Sequence, residues 1–345
     1  MSAGLAVGAF PLRVTRAALL LFAFMVWGNV ASGAQQDGDN NNSRVNVLHV
    51  QGNVYMLDEP GLNNISLQVG EDYIIVVDTG EAELGDELIA AIRSVSNKPI
   101  LFIANTSSDA DHIGGNARLS KEGWALPNAD APGRDPAVSA AAISGKLQEG
   151  AVIIGHKNAM NRVITGNLAS NTSVTYGDEG FQLYNKEPIL FYPKKAAHSD
   201  GDTVVFFRDS EVLSVGELFY PISYPVIDPN EGGSVAGIIN AMNDLISLMV
   251  PKENEEGGTY VIPGHGWLCD RNDIVNYRDM LTIIRGRIQD MVRKGMKLPQ
   301  VKAAQPSFDY DPIYGPTTGP WTTDKFIETL YHEVANDKVQ QGRKE

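Results

Sequence analysis

Three of the six histidines in this 345-residue sequence stand in chemically suggestive surroundings. His112 lies in "DADHIGG", His198 in "AAHSDGD" and His265 in "PGHG". Each follows a run of β-forming residues, and each is hemmed by glycine or aspartate. One loop histidine is ordinarily a solvated side chain. Three in equivalent positions, with carboxylates beside them, are the residue types from which a metal centre or a proton-transferring site is built. The other histidines fit plainer roles: His49 in an early strand, His156 closing "AVIIGH", and His332 in a C-terminal helix.

The elements that must position these residues can be read from pattern. From Val45, short runs rich in Val, Ile and Tyr ("RVNVLHV", "NVYML", "ISLQV", "YIIVVDTG") alternate with Gly, Asn, Asp and Pro, predicting a sheet built from hairpins. "ELGDELIAAIRSV" places Leu84, Leu88, Ile92 and Val95 on one helical face, and Pro99 then opens the strand "PILFIAN". A small helix is expected from about Asn116, followed by an exposed insertion, "KEGWALPNADAPGRDPAVS". "AVIIGH" resumes the sheet. A second strand set runs through "SVTYGDEGFQLY", "EPILFYPKKAAHSDGDTVVFF" and "EVLSVGELFY". A helix from Ser234 to about Met249, the strand "TYVIPGHG" and an amphipathic helix from Ile274 to Arg293 close the domain. Two strand-rich halves, each closed by helices, pack most economically as two stacked sheets with helices outside.

Composition bounds the function. With 43% apolar residues the chain can bury a large core, and its formal charge of −14 opposes association with nucleic acid or an anionic membrane. A small-molecule substrate is the expected partner. Arg13 and Arg16 precede the apolar run "AALLLFAFMVWGNV", and small residues follow at Ser32 and Ala34, the pattern of an export signal over residues 1–34. The apolar run is shorter than the roughly 20 residues a spanning helix needs, so no stable membrane association is expected once the signal is removed. The expected location is periplasmic or secreted. Residues 35–44 read as a solvated linker, 45–295 as the functional domain and 296–345 as a C-terminal extension. The single cysteine, Cys269, excludes an intramolecular disulfide and reads as a small packed residue.

Taken together, "VVDTG", "DADHIGG", "AAHSDGD" and "PGHG" resemble the metallo-β-lactamase-fold hydrolase superfamily over about Val45 to Arg293. The resemblance implies an α/β fold, an αβ/βα four-layer sandwich with the site at one edge between the sheets. The family pattern is H-x-H-x-D-H on the first loop, then a later His, a bridging Asp after Gly, and a His in a late "GH". Asp111 and His112 match the end of the first loop, His198 the middle histidine and His265 the last. The first loop departs from the pattern, because its two leading histidines are Ser107 and Asp109, and the bridging aspartate is Glu217 in "VGELFY".

Carried over, the first metal site keeps only His198, whereas the second keeps Asp111, His112 and His265, with Glu217 as a possible fourth ligand. A His₂-carboxylate set with an open position is typical of catalytic zinc, so one zinc ion is the expected cofactor. If both sites filled, three carboxylates and three imidazoles would shift the preference toward two iron or manganese ions. Asp109 and His198 would face the vacated first site, as catalytic groups that accept a proton or hold a developing oxyanion. Tyr220, Tyr224 and Trp267 flank Glu217 and His265 and would wall a substrate pocket. The implied activity is metal-dependent hydrolysis of an ester, lactone, thioester or lactam carbonyl. Two alternatives stay open: an exported binding protein that has lost turnover, and a di-iron protein.

Overall fold

Strand β4 (Ile74–Val77) is four apolar residues in succession, and the computed structural model shows why. Ile74 and Val76 enter one core, whereas Ile75 and Val77 enter another, so both faces of the strand are covered. The structure describes residues 44–58, 63–123, 150–165, 173–254 and 257–341. The expected export signal, the linker up to residue 43 and the insertion over residues 124–149 lie outside the described residues.

β4 belongs to a seven-stranded sheet in the order β1 (Asn46–Gln51), β2 (Val54–Asp58), β3 (Asn64–Val69), β4, β5 (Ile100–Asn105), β6 (Val152–His156) and β7 (Ser173–Tyr176). The first four strands form an antiparallel meander, and pairing from β4 to β7 is parallel. The second sheet has five strands in the order β12 (Tyr260–Ile262), β11 (Val212–Ser214), β10 (Asp202–Phe207), β9 (Pro188–Lys194) and β8 (Phe181–Tyr184). Only β11 and β12 pair in parallel within it.

The strand period of two divides the apolar residues among three cores. Between the sheets lie Ile75, Val77, Phe102 and Ile154 from one side and Phe191, Val205, Phe207 and Ile262 from the other. Outside the first sheet, Ile74, Val76 and Ile103 pack on Leu88 and Ile92 of the helix Gly85–Val95. Outside the second, Val204, Phe206 and Val261 meet the helices Val235–Leu248 and Arg271–Arg293. The result is helix, sheet, sheet, helix. Ser234 caps the first of those two helices and Asp270 the second, so both start where their first unpaired N–H groups find a side-chain acceptor.

Residues beyond 295 are more than an appendage. Phe326, Ile327, Leu330 and Val334 of the helix Thr323–Gln341 enter the same core as the helix Arg271–Arg293, and Ser43–Glu345 forms one compact unit. No helix among the described residues is long and apolar enough to cross a membrane.

Candidate metal centre

The candidate residues are carried by turns that follow strands of both sheets. β4 ends at Asp78, which adopts a positive φ of 62°, a conformation that Asp tolerates better than most residues. β5 leads through Thr106 into the short helical turn Ala110–Ile113, which carries Asp111 and His112. This turn is laid against "DTG": the Thr79 N–H donates to the His112 carbonyl at 2.8 Å, and a Cβ on Gly115 would come within 2.3 Å of the Thr79 carbonyl oxygen. Gly115 is therefore required for close approach. β11 leads into the 3₁₀ turn Gly216–Leu218, which carries Glu217. Gly216 has φ 51°, and a Cβ there would meet the Thr106 hydroxyl at 2.3 Å. His198 follows β9 and His265 follows β12.

These turns bring Asp111, His112, Glu217 and His265 into one group and Asp109, His198 and Glu217 into another, the ligand atoms of each group lying within 4.8 Å of one another. His112 is fully buried. Its Nδ1 lies 2.8 Å from Asp78 Oδ2 and its Nε2 lies 2.5 Å from Glu217 Oε1. Asp78 is itself fixed by the backbone N–H and the hydroxyl of Thr106, at 2.8 and 2.6 Å. His265 Nε2 lies 3.2 Å from Asp111 Oδ2 and 3.4 Å from Glu217 Oε1. The Tyr220 ring stacks on His265 at 5.1 Å and 12°, and the Tyr220 hydroxyl donates to Glu217 Oε2.

In the second group, His198 Nδ1 meets the Val226 carbonyl at 3.0 Å, which leaves Nε2 directed at Asp109 Oδ2, 2.9 Å away. Ser107 is buried and contributes no ligand. Its Oγ accepts the Asp109 N–H at 3.1 Å, a turn-forming bond that sets the loop. Arg162 lies beside this group, where it pairs with Asp200 at 2.7 Å and Glu231 at 2.8 Å and donates to Ser108.

Electrostatics follow from the excess of carboxylates. Burial alone would depress the histidines, but their carboxylate partners override it. Asp78 and Glu217 hold His112 well above its ordinary range. Asp109, Glu217 and Asp202 push His198 up to about 10, and Asp111 with Glu217 pushes His265 up to about 9. Glu217, which burial alone would raise, is held far below the usual carboxylate range by His112, His265 and His198. Burial likewise opposes ionisation of Asp111, but the His265 hydrogen bond and the His112 charge lower it. Asp202, buried beneath, is raised by that burial to about 6.

The donor set fits a first-row cation. Imidazole nitrogens and carboxylate oxygens converge, and the remaining nitrogens of His112 and His198 are anchored by Asp78 and the Val226 carbonyl, an arrangement that fixes tautomer and direction. Protons on these histidines occupy the same directions that a cation would.

The three aromatic residues expected in a pocket wall divide. Tyr220 is at the site, where it touches Glu217 and His265. Trp267 is 57% exposed, two residues beyond His265. Tyr224 is fully buried away from solvent: its ring stacks on Phe326 at 4.4 Å and its hydroxyl donates to Asp311 at 2.8 Å, so it ties the C-terminal helices to the core. His156 belongs to neither group and pairs with Asp178 at 3.4 Å. Cys269 is buried, and burial together with the neighbouring acidic groups pushes its thiol far above the ordinary range, which makes it a poor nucleophile.

A model of the metallo-beta-lactamase superfamily matches residues 58–134, the stretch that includes "VVDTG" and "DADHIGG". No curated protein sequence matches. Among solved structures, the chain is similar to the stereoselective inverting sec-alkylsulfatase Pisa1 from Pseudomonas sp., with TM-score 0.60 and 12% identity over 84% of this chain and 50% of that one. It is also similar to the DIM-1 metallo-beta-lactamase, with TM-score 0.51 and 13% identity over 69% of this chain and 97% of that one. The chain thus spans half the length of the alkylsulfatase. At such identity the likeness is one of fold. The two stacked sheets with outer helices are the fold of these metallo-beta-lactamase-type structures, and residues 58–134 match the superfamily's model, with Ser107 and Asp109 in the first loop ahead of Asp111 and His112.

Proposed function

We propose that the protein is a metal-dependent hydrolase with one ion, zinc in the simplest case, held by Asp111, His112, Glu217 and His265. The observation that carries this reading is the convergence of those four ligand atoms within 4.8 Å. When bound, such an ion supplies Lewis acidity and lowers the pKa of a bound water toward about 7. The chain's own residues do the rest. Asp78 holds His112 Nδ1 so that Nε2 faces Glu217 within the donor group that would hold the ion, and the Tyr220 ring packs against His265. Asp109 is part-exposed beside His198 and would accept a proton from water at Oδ2. His198, hydrogen-bonded to that oxygen at 2.9 Å, returns a proton from Nε2 to the leaving group.

Charge narrows the substrate. A cleft of about 510 Å³ adjoins Asp111 and is lined by Glu81, Ala82, Glu83, Ala110 and Gly114, two more carboxylates and no cation. Arg162, the cation beside the second group, is already paired with Asp200 and Glu231. An uncharged or cationic ester, lactone, thioester or lactam suits this surface, and an anionic substrate such as an alkyl sulfate is repelled. Export to the periplasm or medium remains part of the proposal, on the strength of residues 1–34.

A matched panel of neutral, cationic and anionic aryl esters, assayed with zinc-loaded protein, tests this reading. Turnover is expected in the order cationic or neutral well above anionic. A zinc-loaded protein that turns over no ester, lactone, thioester or lactam would instead support a binding protein. A second reading, two ions per chain, rests on one specific observation, the presence of Glu217 in both donor groups. Iron or manganese would then be the expected metal.

A further inference from the structure

The two oxygens of Glu217 have different partners. Oε1 faces the imidazoles of His112 and His265, at 2.5 and 3.4 Å, and Oε2 accepts the hydroxyl hydrogen bond of Tyr220. A carboxylate that bridges two ions through both of its oxygens offers one to each. With Oε1 shared by His112 and His265, Oε2 is the atom left to join Asp109 and His198, and it is the atom that Tyr220 covers.

Tyr220 is not free to move aside. Its ring is buried and lies flat against His265, so turning the hydroxyl off Glu217 would break that stacking. Without Oε2, the second group consists of one carboxylate and one imidazole. Ser107 adds nothing, because its Oγ is committed to the Asp109 N–H. Two protein ligands are fewer than the three that hold a catalytic zinc ion.

We propose that Tyr220 sets the metal count of the centre: its hydroxyl caps Glu217 Oε2, keeps the Asp109–His198 group short of a ligand and so limits the chain to one ion. This rests on the metal-centre reading given above. Tyr220 is on this view a positioning residue, acting through Glu217. The pair His198–Asp109 keeps its own hydrogen bond and stays available for proton transfer.

The test is zinc stoichiometry of the full chain, stripped with chelator, equilibrated with zinc chloride, desalted and measured by mass spectrometry of the eluted metal. Tyr220→Phe keeps the ring and removes the hydroxyl. The wild type is expected to retain one zinc per chain and Tyr220→Phe two. Tyr220→Phe combined with His198→Ala should return to one, because the added ion depends on His198. Tyr220→Met, which lacks both ring and hydroxyl, is the second variant should Tyr220→Phe fail to fold, and it too should bind two. One zinc in the wild type and one in the folded Tyr220 variants would overturn the cap while leaving the metal centre intact. Two in the wild type would overturn it directly. None in the wild type would remove the metal-centre reading itself, and the cap with it.

Discussion

The two donor groups that share Glu217 differ in how firmly the protein holds them. On the Asp111 side, His112 is buried and gripped at both nitrogens, Asp78 behind it is itself held by Thr106, and His265 is clamped by the Tyr220 ring. On the Asp109 side, His198 is anchored by one carbonyl, its carboxylate partner is part-exposed, and the loop serine beside it makes a turn instead of a ligand. Rigid, desolvated donors bind a cation without first paying to be ordered, so affinity belongs to the first side and adaptability to the second.

The largest effect should follow from His112→Ala. It removes a ligand and leaves Asp78 and Glu217 as buried carboxylates without their shared imidazolium. Metal binding should be abolished, and the fold should lose ~3–5 kcal/mol in chemical denaturation, the usual result of breaking a buried ion pair from one side. Undiminished metal content in this variant would break the contrast between the two sides. Asp109→Asn should have the opposite character, with unchanged metal content and turnover lowered by ~10²–10⁴-fold, the range for a lost acid–base group. Should kcat survive intact, Asp109 has no part in proton transfer.

Asp78→Asn probes the support behind His112. Asn tolerates the positive φ at this position, so the fold should hold, and metal affinity should weaken by ~10–100-fold in competition with a chelating dye. An affinity equal to wild type would mean that Thr106 and the packing alone orient His112. A smaller, pH-dependent effect is expected in protein stripped of metal. His265 and His198 have folded-state values of about 9 and about 10, above the ordinary histidine value of about 6.5. Their contribution to stability is fully present below about 6.5 and is lost as pH rises through 9 and 10, because the unfolded chain releases these protons first. The melting temperature of the stripped protein should therefore fall between pH 7 and pH 10. A flat profile there would mean that the carboxylates do not hold protons on these histidines. A bound cation displaces the proton of His265, so apparent metal affinity should rise as pH approaches 9.

How much of this could be read from sequence depends on the kind of contact. "VVDTG", "DADHIGG" and "PGHG" are legible because glycines at close approaches and strand ends leave a local pattern, and the two stacked sheets follow from the same β-type runs. Asp78 stands in "VVDTG", but its hydrogen bond to His112 crosses 34 residues and has no local trace. Tyr220 and Tyr224 look alike in sequence, as aromatics in one Pro- and Gly-rich loop. Only the tertiary fold separates them, because Tyr224 turns toward Phe326 and Asp311 of the C-terminal segment, whereas Tyr220 turns toward Glu217. The same segment reads as an extension because its apolar stripe, Phe326, Ile327, Leu330 and Val334, is short and its partner helix lies in another stretch of chain. The ion pairs of Arg162 with Asp200 and Glu231 are equally invisible, being nonlocal charge contacts on loops.

The most direct measurement is the metal content of protein purified without added metal, in the wild type, His265→Ala and His156→Ala. His265 is a proposed ligand, and His156 is a buried histidine outside both donor groups that pairs with Asp178. The account predicts about one equivalent in the wild type and in His156→Ala, and none in His265→Ala. Equal loss in both variants would show general destabilisation in place of ligation, and a wild type that carries no metal, and takes up none when zinc is supplied, would contradict the account at its centre.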